Sequence, residues 1–93
     1  KEKFNPENSE FKYQNEIDDL SISNIETIPN DIYSLEKIDN LHLSFLEKIN
    51  ISDELKKITI ENLELHGKIN IEEIQRIKKM FPKTKLKING EEK

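Results

Sequence analysis

The sequence has no cysteine, alanine, valine or tryptophan, and it carries only two glycines, three prolines, two histidines and one methionine. Without cysteine there is no disulfide framework and no thiolate metal site, and the redox compartment stays open. Gly67 and Gly90 stand apart, so no glycine-rich phosphate loop can be built. No apolar run approaches the roughly 20 residues of a membrane span, and no secretory leader pattern is visible. The chain opens on Lys1 rather than Met, which admits either a processed protein or a piece of a longer one. Localisation cannot be read from it.

What the chain does have is isoleucine and leucine, fifteen and nine residues respectively. Ninety-three residues allow one small domain. A globular core of that size is marginal. A stacked array suits the length better, because its thin core needs only contacts between neighbouring units. The abundance of Ile, Lys, Asn and Glu fits an AT-rich, bacterial genome. Charge is uneven: residues 1–36 hold nine acids and three lysines, and residues 76–93 hold seven bases and two acids. An array with that distribution has an acidic end and a basic end.

One apolar phrase recurs. It reads Ile17-Asp18-Asp19-Leu20-Ser21-Ile22, then Ile38-Asp39-Asn40-Leu41-His42-Leu43, then Leu55-Lys56-Lys57-Ile58-Thr59-Ile60, with a partial copy at Leu86-Lys87-Ile88. Repetition of a supersecondary phrase decides the architecture before any single residue does. The first two copies keep a constant offset, from Ile17/Ile38 through Leu20/Leu41 and Ile22/Leu43 to Ile25/Leu46 and Ile28/Ile49. Placing the third copy on Ile58 and the last on Leu86 makes the later spacings uneven, first shorter and then longer than that offset. In each copy alternate side chains face opposite ways, so the leucines and isoleucines point inward and the residues between them outward. Returns this long are crossovers rather than hairpins, which predicts parallel strands and right-handed connections.

Between strands, Pro29 excludes a helix interior and predicts an extended or 3₁₀-like return. Asn70 with Glu73 three residues on reads as a helix start. Ile74, Ile77, Met80 and Phe81 supply an apolar face at helical spacing, and Pro82 stops it. These signals predict a helix over 71–80. Asn89-Gly90 reads as a turn, and residues 91–93 as a frayed tail. Residues 1–14 read as an N-terminal cap or tail, with Phe4, Phe11 and Tyr13 as anchors and Phe11-Lys12-Tyr13 as a candidate short strand.

The Leu-x-x-Leu-x-Leu phrase with the Ile28-Pro29-x-x-Ile32 return resembles leucine-rich repeat proteins over about residues 17–89. The resemblance implies an α/β fold: a short right-handed solenoid with a parallel sheet on one face, and irregular or 3₁₀ returns and one C-terminal helix on the other. The repeat domain then spans 15–90. The resemblance also implies a protein-binding strand face.

Candidate chemistry is sparse. His42 is expected on the outer side of the second strand and His66 in a His-Gly turn, with no carboxylate at ligand spacing on either element. No catalytic, cofactor or metal site is therefore assigned. The run from Arg76 to Lys87 holds six cations and no acid. Its only aromatic, Phe81, belongs to the helix's apolar face, so a nucleic-acid patch is not supported. The residues expected outward on the strands are Ser21, Ser23, Asn40, His42, Ser44, Thr59, Glu61, Lys85 and Lys87. They are the candidate partner-binding set. The expected function is a non-catalytic module that binds another protein. The alternatives are a structural capping or spacer segment of a larger repeat protein, or a small bacterial immunity or inhibitor protein.

Overall fold

The computed structural model describes residues 16–93. The expected cap at 1–14, with its short strand at Phe11-Lys12-Tyr13, lies outside the described residues. From Glu16 onward the chain forms an α/β fold with one five-stranded sheet: β1 (Glu16–Ile25), β2 (Lys37–Lys48), β3 (Thr59–Lys68), β4 (Lys85–Ile88) and β5 (Glu91–Glu92), in spatial order β1-β2-β3-β4-β5. The first four strands are mutually parallel, and β5 turns back antiparallel to β4. The returns hold two 3₁₀ turns, Asn30–Ser34 and Asp53–Lys57, and one helix, α1 (Ile71–Met80).

Isoleucine and leucine cross the sheet in three rows. They are Ile17–Ile38–Ile60, Leu20–Leu41–Leu63–Leu86 and Ile22–Leu43–Leu65–Ile88. Ile38, Leu41, Leu43, Leu63 and Leu65 are fully buried, whereas the β1 members are half-buried. Stacking on a parallel neighbour lets each row bury its own branched side chains, roughly 1.5–3 kcal/mol per side chain.

This register corrects the third repeat. The strand phrase is Ile60-Glu61-Asn62-Leu63-Glu64-Leu65, not the copy that begins at Leu55. With Leu63 in place of Ile58, the ladder Leu20, Leu41, Leu63, Leu86 climbs in nearly equal steps, and the uneven spacing expected from the sequence disappears. Leu55 instead lies in the second 3₁₀ turn, fully buried, and Ile58 follows as its buried C-cap. The turn forms because Ser52 accepts a hydrogen bond from the Glu54 N–H (3.2 Å), which caps the start as a serine commonly does.

A second correction concerns Leu46, which is 57% exposed. The residue in register with Ile25 is Phe45, which is buried. β1 takes three residues from Ile22 to Ile25 where β2 takes two from Leu43 to Phe45. Asn24, at φ 59°, sits inside that irregularity; an asparagine tolerates the left-handed region better than most residues. The C-terminal end differs too. Glu91 and Glu92, expected to fray, pair with β4, and the Lys93 N–H donates to the Leu86 carbonyl at 2.8 Å.

Helix α1 occupies the expected residues 71–80. Asn70 Oδ1 accepts from the Glu73 N–H at 2.8 Å, Ile77 is fully buried and Phe81 closes the end. Glu73 turns its carboxylate to Arg76, receiving Nε at 2.9 Å and Nη2 at 2.6 Å. Arg76 also donates Nη1 to Asp53 Oδ1 at 2.7 Å and Nη2 to the Ile51 carbonyl. One guanidinium thus ties α1 to the return that carries the second 3₁₀ turn, a use of its planar fork that lysine could not copy.

Packing and pinning can be tested separately. Leu63→Ala should cost about 2–5 kcal/mol, while Leu46→Ser should stay within about 0.5 kcal/mol, both read by urea denaturation. Glu73 is held below the usual carboxylate range, chiefly by its hydrogen bonds from Arg76. Its contribution is present above the unfolded carboxylate pKa and lost as pH falls through the folded one. Glu73→Gln should therefore lower stability at neutral pH, by under about 1 kcal/mol for so exposed a pair. The gap to the native chain should close in acid, as followed by thermal melts across a pH series.

Candidate binding face

The pleat that sends the Leu20 and Ile22 rows inward sends two polar rows to the opposite face. One is Asp19–Asn40–Asn62–Lys85 and the other Ser21–His42–Glu64–Lys87. A shorter third row pairs Ser44 with His66. The first row is hydrogen-bonded across the strands: Asn40 Nδ2 donates to Asp19 Oδ1 and Asn62 Nδ2 to Asn40 Oδ1, each at 2.8 Å. These two rows line an open depression of about 970 Å³, closed at one side by Glu92 and Lys93. Its lining mixes both signs: Asp19, Glu64 and Glu92 are acidic, and Lys85, Lys87 and Lys93 are basic.

All nine of the sequence-derived candidates are exposed or half-buried. Ser21, Asn40, His42, Lys85 and Lys87 come together around the depression. The other four do not. Ser23 lies inside the register shift of β1, and Ser44 lies beyond the depression, beside His66. Thr59 pairs with Lys37 at the very start of β3, and Glu61 falls between the paired Ile60 and Asn62. Thr59 belongs to the copy of the phrase that does not form the strand level; the residue that stands in the His42 row is Glu64.

His66 is also relocated. It lies within β3 rather than in a turn, two residues after Glu64. Its Nε2–H donates to Glu64 Oε2 at 2.9 Å, and its ring stacks on that of His42 with centroids 4.8 Å apart and an interplanar angle of 28°. Donor atoms of His42, Glu64 and His66 lie within 4.8 Å of one another. The Glu64 carboxyl is held below its ordinary range, chiefly by the hydrogen bond from His66, which outweighs the opposing effect of partial burial with further help from the neighbouring Lys87. The Glu-x-His spacing at 64–66 is the signal that sequence reasoning missed: on a strand, i and i+2 share a face.

The end of β3 that carries His66 is fixed by its neighbour. Gly67 has φ +144°, and a Cβ there would come within 2.9 Å of Ile49 Cγ1 and 3.0 Å of the Glu47 carbonyl oxygen. Asn89 brackets the same residue, accepting from the Gly67 N–H at 3.0 Å and donating to its carbonyl at 2.9 Å. The basic run, by contrast, disperses. Arg76 is occupied by Glu73, Asp53 and Ile51, Lys78 and Lys79 are exposed on α1, and Lys85 and Lys87 stand on the strand face.

No protein-family model, no curated protein and no solved structure matches the chain. Among the described residues, no helix is long and apolar enough to cross a membrane.

Gly67→Ala should destabilise the protein by about 1–3 kcal/mol, since backbone strain and a close backbone approach act together. Chemical denaturation checks the figure. Asn89→Gly, which keeps the left-handed φ of 52° without strain, should cost less, because water replaces a bracket that is exposed.

Proposed function

We propose that the chain is a non-catalytic protein–protein interaction module of the leucine-rich repeat kind, and that it engages its partner with the strand-lined face. The observation that carries this reading is the in-register ladder of Leu20, Leu41, Leu63 and Leu86, whose steps are nearly equal in length. Units of nearly constant length, each with one strand and one short return, are the building plan of a right-handed solenoid. Such an array offers an extended face for a partner. One polar row on that face, Asp19–Asn40–Asn62, is ordered by hydrogen bonds between strands, so these side chains are held in place before any partner arrives. Preorganisation of this sort lowers the entropic cost of binding. The mixed charges of Asp19, Glu64, Lys85, Lys87 and Glu92 suit a partner with charges in the complementary pattern. An interface near the usual ~800 Å² per partner would occupy most of so small a face.

The test is affinity capture from lysate of the source organism with the native chain and two variants, their folds checked by circular dichroism. One variant carries Ser21→Arg, Lys85→Glu and Lys87→Glu on the strand face. The other carries Lys78→Glu and Lys79→Glu on α1. A protein retained by the native chain and by the α1 variant, and lost by the strand-face variant, is the expected result. Undiminished retention by the strand-face variant would sink the reading.

A further inference from the structure

The sequence contains two histidines, far apart along the chain, and the fold stacks one upon the other beside a carboxylate. We propose that His42, Glu64 and His66 form a site for a single divalent transition-metal ion of the zinc type. The inference does not depend on the protein-binding reading; it rests on the geometry of these three side chains alone.

Parallel pairing makes the juxtaposition. β2 places His42 opposite Glu64, and β3 places His66 two residues further on, on the same face. Two imidazoles and one carboxylate make a nitrogen-rich donor set of the type that open zinc sites use, with the fourth position left to water. Such a set discriminates against calcium and magnesium, which take oxygen donors. The distances are close to what an ion needs. Ligands at about 2.0–2.1 Å in a tetrahedron stand about 3.3 Å from one another. Glu64 Oε2 and His66 Nε2 are now 2.9 Å apart, bridged by a proton. Replacing that proton with an ion asks them to separate by only a few tenths of an ångström. Closing the widest gap in the cluster, up to 4.8 Å, requires the two half-exposed rings to turn out of their stack, because imidazole lone pairs lie in the ring plane and the planes are now only 28° apart. His42 and Glu64 line the open depression, and His66 stands half-exposed beyond its edge, so solvent reaches all three side chains.

One neighbour opposes the site. Lys87 pairs in register with Glu64 and is exposed, so its ammonium competes with the ion for the carboxylate. Removing that charge should tighten metal binding, a consequence that a purely structural histidine stack would not have.

The experiment titrates the native chain with Zn²⁺ by calorimetry and with Co²⁺ by visible absorption, in excess Ca²⁺. The expected result is one ion per chain, with the imidazole NMR signals of His42 and His66 shifting together up to one equivalent. His42→Ala, and separately His66→Gln with its polar side chain kept, should each weaken binding at least about tenfold, the lower bound for losing even an outer partner of a metal ligand. Lys87→Gln should bind more tightly than the native chain, and Lys78→Gln, exposed on α1, should bind like it. Circular dichroism confirms that each variant is folded. Absence of zinc heat and of a cobalt spectrum in the native chain would overturn the proposal. So would native-like affinity in both histidine variants, which would put the ion elsewhere.

Discussion

Three apolar rows cross the sheet in register, and their alignment fixes what every other part of the chain can do. A parallel strand slipped by one residue would exchange its buried and exposed faces. Leu63 could then no longer stack between Leu41 and Leu86, and Asn62 would lose Asn40. The register is therefore specified twice, once by burial and once by the hydrogen-bonded row of Asp19, Asn40 and Asn62. The returns serve this alignment. Two 3₁₀ turns and α1 absorb small differences in length, so that units of slightly unequal length still deliver Leu20, Leu41, Leu63 and Leu86 to the same level.

The polar face is a by-product of that alignment, and its chemistry follows from which residues share a level. His42 and Glu64 meet because Leu41 stacks on Leu63. His66 joins them because β3 continues extended for two further residues, up to the point where Gly67 meets Glu47 and Ile49 too closely for any Cβ. Lys87 arrives beside Glu64 by the same rule.

Much of the architecture is legible in the sequence. Helix α1 can be read to the residue because an N-cap, an apolar period and a proline all mark the same segment. Strands β1, β2 and β4 can be read from alternation. The third strand cannot, because two overlapping copies of the phrase, at 55–60 and 60–65, satisfy the same apolar pattern. Periodicity alone does not choose between them. Ser52 followed by two acids marks a capped turn, and Asn40 and Asn62 share a place before the leucine; those local signals favour the later copy. Thr59 takes the place of Glu64 in the sequence reading for this reason alone. Leu46 is misassigned there because a single extra residue at Asn24 shifts one edge, an irregularity that hydrophobicity does not encode. The role of Arg76 is hidden for a different reason: its partners Ile51 and Asp53 are distant in the chain and become neighbours only after folding.

Apolar packing and exposed polar chemistry lie on opposite sides of this sheet, and that separation has a physical basis. A buried leucine in the central rows contributes on the order of 2–5 kcal/mol against truncation. An exposed ion pair such as His66–Glu64, with both side chains about a third exposed, is of a class worth ~0–1 kcal/mol. The residues at 21, 42, 64 and 87 are thus weakly constrained by folding. A Ser, a His, a Glu and a Lys in one row is not what packing demands, since any soluble side chain would hold the same place. Two of its members converge with His66 into a three-donor cluster, so the composition of the row is where selection for function can act without unsettling the leucines beneath it.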